Sequence, residues 1–301
     1  MGTFLITGVN GFLGHSVLEA LLRTGNDKII GVDIQEQAKV RGEPTRLTYK
    51  RVDVGDSGCI KELIDLKPDT VIHLAGVLAK SEDVRSQLEL FKGNEGSTHN
   101  MLQVARANRS HFLFSSTGLV YGNQPGPFFE DTRVSPEDYY SLSKYCAEEM
   151  VRFFSMRYSI PSTIFRIAVL YGPDQKASMF IPSLVSAINN NEQFKMTAGE
   201  QKRDFIYIDD VVSAFCMAVR NSVTGLYNLG TGNAVKMIDA ANMAMSIAQK
   251  NDLLKVGALP YREKESWEYN LNSEKFKRRT GWSAETDLKS GLEKLLKLKA
   301  Y

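Results

Sequence analysis

The chain holds only three cysteines in 301 residues (Cys59, Cys146 and Cys216), an odd number, far apart and with no CxxC spacing. That excludes a disulfide framework, argues against structural zinc and predicts a reducing, cytoplasmic setting. Histidine is equally scarce. His15, His73, His99 and His111 form no HxxxH or HxH pair, so no metal is expected. An excess of one charge is also missing: the net charge is +2, with charged residues at 24%. This gives no electrostatic ground for nucleic acid or a membrane surface as partner. No run approaches the roughly 18 apolar residues of a membrane span, and no cationic leader with a cleavage site is expected. Repeats, low-complexity tracts and obvious linkers are absent as well. The basic cluster "EKFKRR" (274–279) reads as a solvated helix face.

What remains is an ordinary globular composition, 43% hydrophobic, long enough for one large or two ordinary domains. Short β-rich runs alternate with longer helical patterns. "TFLITG" (3–8), "KIIGVDI" (28–34), "LTYKRVDV" (47–54), "TVIHLAG" (70–76), "HFLFSST" (111–117) and "STIFRIAVLYG" (162–172) read as strands. Several are nearly continuous apolar runs, as expected where helices cover both faces of a parallel sheet. Between them, "GHSVLEALLRTG" (14–25) and "NEGSTHNMLQVARANR" (94–109) carry helical periodicity. The alternation predicts an α/β fold, a doubly wound parallel sheet of Rossmann type over residues 1–170. A smaller C-terminal α/β substrate-binding domain is expected over 171–301, with about 205–232 able to return to the first domain. Its tail places leucines at 292, 295, 296 and 298 as a docking stripe.

Gly8, Gly11 and Gly14 form GxxGxxG between the first strand and the first helix. There a dinucleotide pyrophosphate needs close backbone approach and a helix N-terminus. Asp33 ends the second strand, where a carboxylate accepts bonds from a ribose 2′-hydroxyl and repels a 2′-phosphate. The pattern therefore points to NAD. Asp53 ends the third strand and either sits near the adenine amino group or caps the following turn.

The stretch "YYSLSKYCAEE" (139–149) sets two tyrosines before a lysine. At about 100° per residue, Tyr140 lies roughly 40° from Lys144, and Tyr139 roughly 140°. Helical phase selects Tyr140 and leaves Tyr139 to packing. A cation at 4 Å supplies on the order of 4 kcal/mol, enough to bring a phenol from about 10 toward 7. "SSTG" (115–118) places a hydroxyl at a strand end, where open α/β sheets bind ligands.

Together "TGVNGFLG", "DV" (53–54), "HLAG" (73–76), Asn94, "SST..VYG", "YSLSK" and "LYGP" resemble the extended short-chain dehydrogenase/reductases. "RDFIYIDD" (203–210), "YNLGTG" (227–232) and "TGW" (280–282) resemble their nucleotide-sugar epimerase/dehydratase branch. The resemblance implies Tyr140 as general base and acid, Lys144 as the group that lowers its pKa and holds the nicotinamide ribose, and Thr117 as the hydroxyl on the reacting sugar oxygen. It implies cofactor contacts from Gly8, Asn10, Gly11, Phe12, Leu13 and Gly14, from Asp33, Asp53 and Val54, and from Leu74, Ala75, Gly76 and Asn94. Ser116, Arg203 and Arg262 are implied on the substrate side, Arg203 gripping a diphosphate bidentately. Either arginine is alternatively an ion-pair partner.

Departures narrow the chemistry. Sugar 4,6-dehydratases carry Asp-Glu directly after the threonine, whereas this chain has Gly118 and Leu119. Val169 stands where many relatives have asparagine, and Ser141 where glycine is more usual after the tyrosine. The resemblance thus implies an NAD-dependent nucleotide-sugar 4-epimerase working through a transient 4-keto sugar. An NAD(P)H-dependent 4-keto-sugar reductase is the alternative, and a non-catalytic NAD-binding protein a third reading. Partners expected are a nucleotide-diphosphate sugar and a second copy of the chain, paired through the helices near 94–108 and 140–158.

Overall fold

The computed structural model describes residues 2–40, 45–78, 83–263 and 265–297. Leu298, last of the leucine stripe, lies outside the described residues. The chain begins β1 (Thr3–Thr7), α1 (Phe12–Thr24), β2 (Lys28–Asp33), β3 (Leu47–Arg51), α2 (Cys59–Asp65) and β4 (Thr70–His73). It goes on through α3 (Val84–Phe91), α4 (Ser97–Asn108), β5 (His111–Thr117), α5 (Tyr139–Tyr158) and β6 (Ser162–Ile167). Next come β7 (Val169–Tyr171), α6 (Phe180–Asn190), β8 (Phe194–Lys195), β9 (Lys202–Arg203), β10 (Phe205–Tyr207), α7 (Ile208–Arg220) and β11 (Gly225–Leu229). The last elements are β12 (Val235–Lys236), α8 (Met237–Ala248), β13 (Leu254–Lys255), α9 (Glu274–Thr280) and α10 (Leu288–Lys297).

Two compact units result. The first comprises Met1–Val120, Pro136–Arg166 and Val212–Tyr227, the second Tyr121–Ser135, Ile167–Val211 and Asn228–Tyr301. The first is built on a seven-stranded sheet of order β11-β6-β5-β4-β1-β2-β3, with the pairs from β3 to β5 parallel. Chain order runs outward from β1 through β2 to β3, then resumes beside β1 at β4. The β1/β4 edge is therefore the switch point, where ligands of open α/β sheets bind at the carboxyl ends of the strands. β4 is buried at every residue, whereas the edge strand β3 is half-exposed. Leu5, Ile30, Val32, Val71, Phe112 and Phe114 from the sheet pack with Met101, Leu102 and Val151 from the helices. This is the apolar content that the sequence runs carry.

Three departures from the sequence reading have local causes. The run 162–172 is not one strand. At Ala168 the backbone N–H turns to Leu229 O (2.8 Å), Val169 N bonds Asp204 O (2.9 Å), and β7 leaves to pair with β10. The helix expected from residue 94 starts earlier, at Val84 capped by Asp83, and passes through a π turn at Lys92–Gly96 before α4. Residues 121–135 leave the first unit because Tyr121 stacks on Phe128 (4.9 Å) and its hydroxyl donates to Asn228 Oδ1 (2.8 Å).

In the second unit, the carboxylate of Asp204 accepts bonds from Thr231, Gly232 and Leu271 and gathers three segments. Asp210 does the same for Glu285 and Thr286. Leu292 and Leu295 of α10 are buried, as the stripe predicted, and "EKFKRR" forms a helix whose Phe276 points inward.

Candidate functional site

The glycine loop follows β1 directly. Gly8 takes φ +67°, and a Cβ there would meet the Ala75 backbone at 2.8 Å. A Cβ on Gly14 would collide with the Gly8 carbonyl. Both positions therefore admit glycine alone: one for the left-handed turn and its approach to the loop after β4, the other for strand–helix packing. Gly11 precedes α1 without a side-chain cap, which leaves the first-turn N–H groups available. Phe12 and Leu13 begin that turn half-buried. These features form a cradle that fits a dinucleotide pyrophosphate.

Asp33 is brought to this loop, its Oδ2 accepting from Asn10 N at 3.0 Å and its Oδ1 from Gln35 N at 3.2 Å. Asn10 offers a ligand little from its side chain. Its amide donates to Gln37 O and the Tyr49 hydroxyl, and its Oδ1 accepts from Lys39 N. The side chain pins the 35–39 segment instead. Asp53 caps its own turn by accepting from Gly55 N (2.9 Å) and pairs with Lys92 at 3.4 Å, at the surface. Val54 packs in the core, and its carbonyl receives Asn100. After β4, Leu74 N and Ala75 N both donate to Thr7 Oγ1. That hydroxyl donates in turn to His73 Nδ1 (2.8 Å), and burial holds the imidazole neutral by lowering its pKa to about 3.

Asn94 joins the two ends of the site. Its Oδ1 accepts from Val77 N, while its amide donates to Val77 O and Ser143 Oγ. A Cβ on Gly76 would lie 3.0 Å from Asn94 Oδ1 and 4.0 Å from Lys144 Nζ. The loop after β4 is thus held against α5 with room for backbone only.

At the reacting end, Asp138 and Ser141 form a reciprocal capping box that starts α5 one residue before Tyr140. Ser141, the departure from glycine, is therefore structural. Tyr139, expected to pack, is exposed at the first turn of α5. Tyr140 is half-buried, and loss of hydration, reinforced by Asp138, pushes its phenol up to about 12. The direction is opposite to the lowering expected from Lys144. Lys144 is 5% exposed, with its ammonium 4.2 Å above the Phe114 ring, and burial lowers it to about 8 against the pull of Glu148. Thr117 Oγ1 accepts from Leu119 N (3.2 Å), which leaves its O–H to donate outward. Ser116 is turned inward: its hydroxyl donates to Glu148, which is buried in an ion pair with Arg166.

In the second unit, Arg203 is ion-paired with Glu265 at 2.7 Å, and its Nη1 donates to the carbonyls of Lys202 and Ser266. Among the described residues this leaves its Nε–H and one Nη2–H unengaged, the edge that suits a phosphate. Arg262 is exposed and close enough to act on Arg203 electrostatically. The sequence reading missed Ser143, Glu148, Arg166 and Glu265. Two of these had a signal: Glu148 repeats the four-residue step from Tyr140 to Lys144, and Arg166 interrupts an apolar strand run.

The profile of the NAD dependent epimerase/dehydratase family matches residues 4–230. The chain is similar to dTDP-glucose 4,6-dehydratase of Salmonella typhimurium, with 26% identity covering 96% of this chain and 90% of that protein. It is similar also to CDP-abequose synthase of Salmonella muenchen, 27% identical over 98% of this chain and 97% of that protein. Among solved structures, UDP-glucose 4-epimerase of Thermotoga maritima with UDP-glucose superposes with a TM-score of 0.89 and 26% identity, covering 98% of this chain and 97% of the other.

Proposed function

The chain belongs to the NAD-dependent epimerase/dehydratase family, and on that premise we propose that it is a 4-epimerase of nucleotide-diphosphate sugars. One observation carries the choice within the family. Thr117, Tyr140 and Lys144 are all present, but the residues after Thr117 are Gly118 and a 39% exposed Leu119, which transfer no protons. Such a site serves oxidation and reduction at one carbon, not elimination at its neighbours.

The cradle of Gly8, Gly11 and Gly14, with Asp33 toward the ribose hydroxyls and Gly76 and Lys144 at the far end, fits NAD. Bound there, NAD supplies acceptance and return of a hydride. Tyr140 takes the proton of the sugar hydroxyl at its phenolic oxygen and gives it back in the reverse step. Its pKa near 12 in the free protein, where Lys144 is already present, makes further positive charge a requirement, and the oxidised nicotinamide of bound NAD would bring it. Thr117 donates its hydroxyl proton to the same sugar oxygen and holds it in line. The unengaged edge of Arg203 takes the diphosphate, with Glu265 fixing the guanidinium plane and Arg262 adding charge. The test is Tyr140→Phe, which is expected to abolish turnover while NAD stays bound; near-normal activity would rule out this base.

The second reading, a nucleotide-linked 4-keto-sugar reductase, draws on Val169 in place of asparagine. Cofactor stoichiometry separates the two, since a reductase consumes NAD(P)H in proportion to product. We also propose a second copy of the chain as partner. On α5, Phe153 and Met156 are exposed large apolar side chains, Met156 at 78%. Sedimentation equilibrium is expected to give a dimer, and a monomer alone overturns this.

A further inference from the structure

Arg166 sits within β6 and is 1% exposed. Its Nε reaches both oxygens of Glu148 at 3.1 Å, and Nη2 holds Oε2 at 2.7 Å. Glu148 is itself fully buried and accepts the Ser116 hydroxyl as well. Desolvation of two ions offsets most of their attraction, so an apolar pair of equal volume would stabilise the fold as well. The informative property is therefore where the pair lies.

Glu148 follows Lys144 by four residues on α5, about 40° around the helix and on the same face. Ser116 immediately precedes Thr117 at the end of β5. Phe114, two residues earlier and so on the Ser116 side of the strand, holds its ring 4.2 Å from the Lys144 ammonium. Several groups surround that ammonium. Tyr140 and Glu148 share its helix, His73 faces it neutral from β4, Phe114 faces it from β5, and the Asn94 amide borders it across Gly76. Arg166 approaches from β6 through Glu148. Glu148 is the anionic group among them.

We propose that Glu148 is a positioning residue of the reacting end: seated by Arg166 and Ser116, its carboxylate keeps Lys144 an ammonium and fixes the strand end that carries Thr117. The proposal rests on the reading of Lys144 and Thr117 given above. Burial drives Lys144 toward its neutral form, and the Glu148 charge opposes that drive. Without Glu148 the ammonium gives up its proton at lower pH, and the anchor of Ser116 is lost with it.

The test is a lysine titration by NMR in the full chain labelled at lysine Cε, with the Lys144 signal assigned by its loss in Lys144→Arg. In the unaltered chain the signal is expected to titrate near pH 8. Glu148→Gln is expected to lower that midpoint by about one unit or more, and to move the alkaline limb of the turnover profile down with it. Glu148→Asp, which keeps the charge, is expected to titrate like the unaltered chain. Because Glu148→Gln takes the carboxylate away from a buried guanidinium, Glu148→Gln/Arg166→Met is measured alongside. Lys144 is expected to titrate lower there too, since Glu148 is the member of the pair that acts on it directly. A folded variant of either kind with an unmoved Lys144 overturns the proposal, whatever its melting temperature. The titration uses neither substrate nor cofactor. Lack of turnover on every nucleotide sugar would therefore overturn the functional reading and leave this test standing.

Discussion

Asn94 Nδ2 donates to Ser143 Oγ at 2.9 Å, and Ser143 donates onward to the Tyr140 carbonyl at 2.8 Å. One amide thereby ties the loop after β4, through Val77, to the first turn of the helix that carries the phenol.

Loss of this clamp should reach both stability and turnover. Asn94→Ala takes the side-chain partner from the Val77 N–H and C=O in a half-buried place, a cost of about 1 kcal/mol. Asn94→Asp is expected to be no better, because it sets a carboxylate oxygen against Val77 O. Denaturant unfolding measures the first effect, and kcat with NAD at saturation measures the second.

Tyr140 should titrate as a high phenol in the free protein. Its ionisation is expected near pH 12, read as the difference in ultraviolet tyrosinate absorbance between the unaltered chain and Tyr140→Phe. Saturation with NAD, whose oxidised nicotinamide ring carries a positive charge, is expected to move that midpoint down. An unmoved midpoint would argue against the base assigned to it.

Lys144 should destabilise the folded chain at neutral pH. Its folded pKa, about 8, lies below the unfolded value of about 10.4. Between those values the unfolded state binds more protons, so stability rises with pH across that window. Lys144→Met removes the buried charge and is expected to raise unfolding stability at pH 7 by roughly 1–3 kcal/mol while abolishing turnover. Equal slopes of stability against pH from about 8 to 10 in both chains would contradict this.

Gly14→Ala tests the glycine cradle. Its methyl has nowhere to go but into the Gly8 carbonyl, so loop and helix must separate. The expected outcome is a loss of NAD affinity of at least tenfold, about 1.4 kcal/mol, measured by calorimetry on protein that still folds. Unchanged affinity would mean that the loop does not hold the pyrophosphate.

Arg203→Lys keeps the charge and loses the planar fork. It is expected to weaken nucleotide-diphosphate binding about tenfold or more, whereas Lys236→Ala, in an exposed pair with Glu200, is expected to leave it unchanged. Titration with the free nucleoside diphosphate reads the difference without any sugar chemistry.

Much of this was legible in the sequence because it is set at short range. The period of the apolar runs fixed the strand–helix alternation, three glycines at regular spacing marked the turn after β1, and helical phase chose Tyr140 over Tyr139. Those features depend on steps of two to seven residues, over which backbone geometry alone places side chains. Polar side chains were harder to place. Ser116, Asn10 and Asp53 belong to the region the sequence indicated, yet the first turns to Glu148, the second pins the 35–39 segment, and the third caps its own turn.

What the sequence by itself determined is the strand–helix alternation of the first unit and which residue types stand at the strand ends and on the first turn of α5. The tertiary structure alone decided which of them meet. Ala75 lies against Gly8, Asn94 reaches Ser143, Arg166 finds Glu148, and Arg203 is held by Glu265 sixty-two residues away. Each of these pairings joins separate elements, and a hydrogen bond or ion pair forms only where the fold has already brought both partners out of water and within reach.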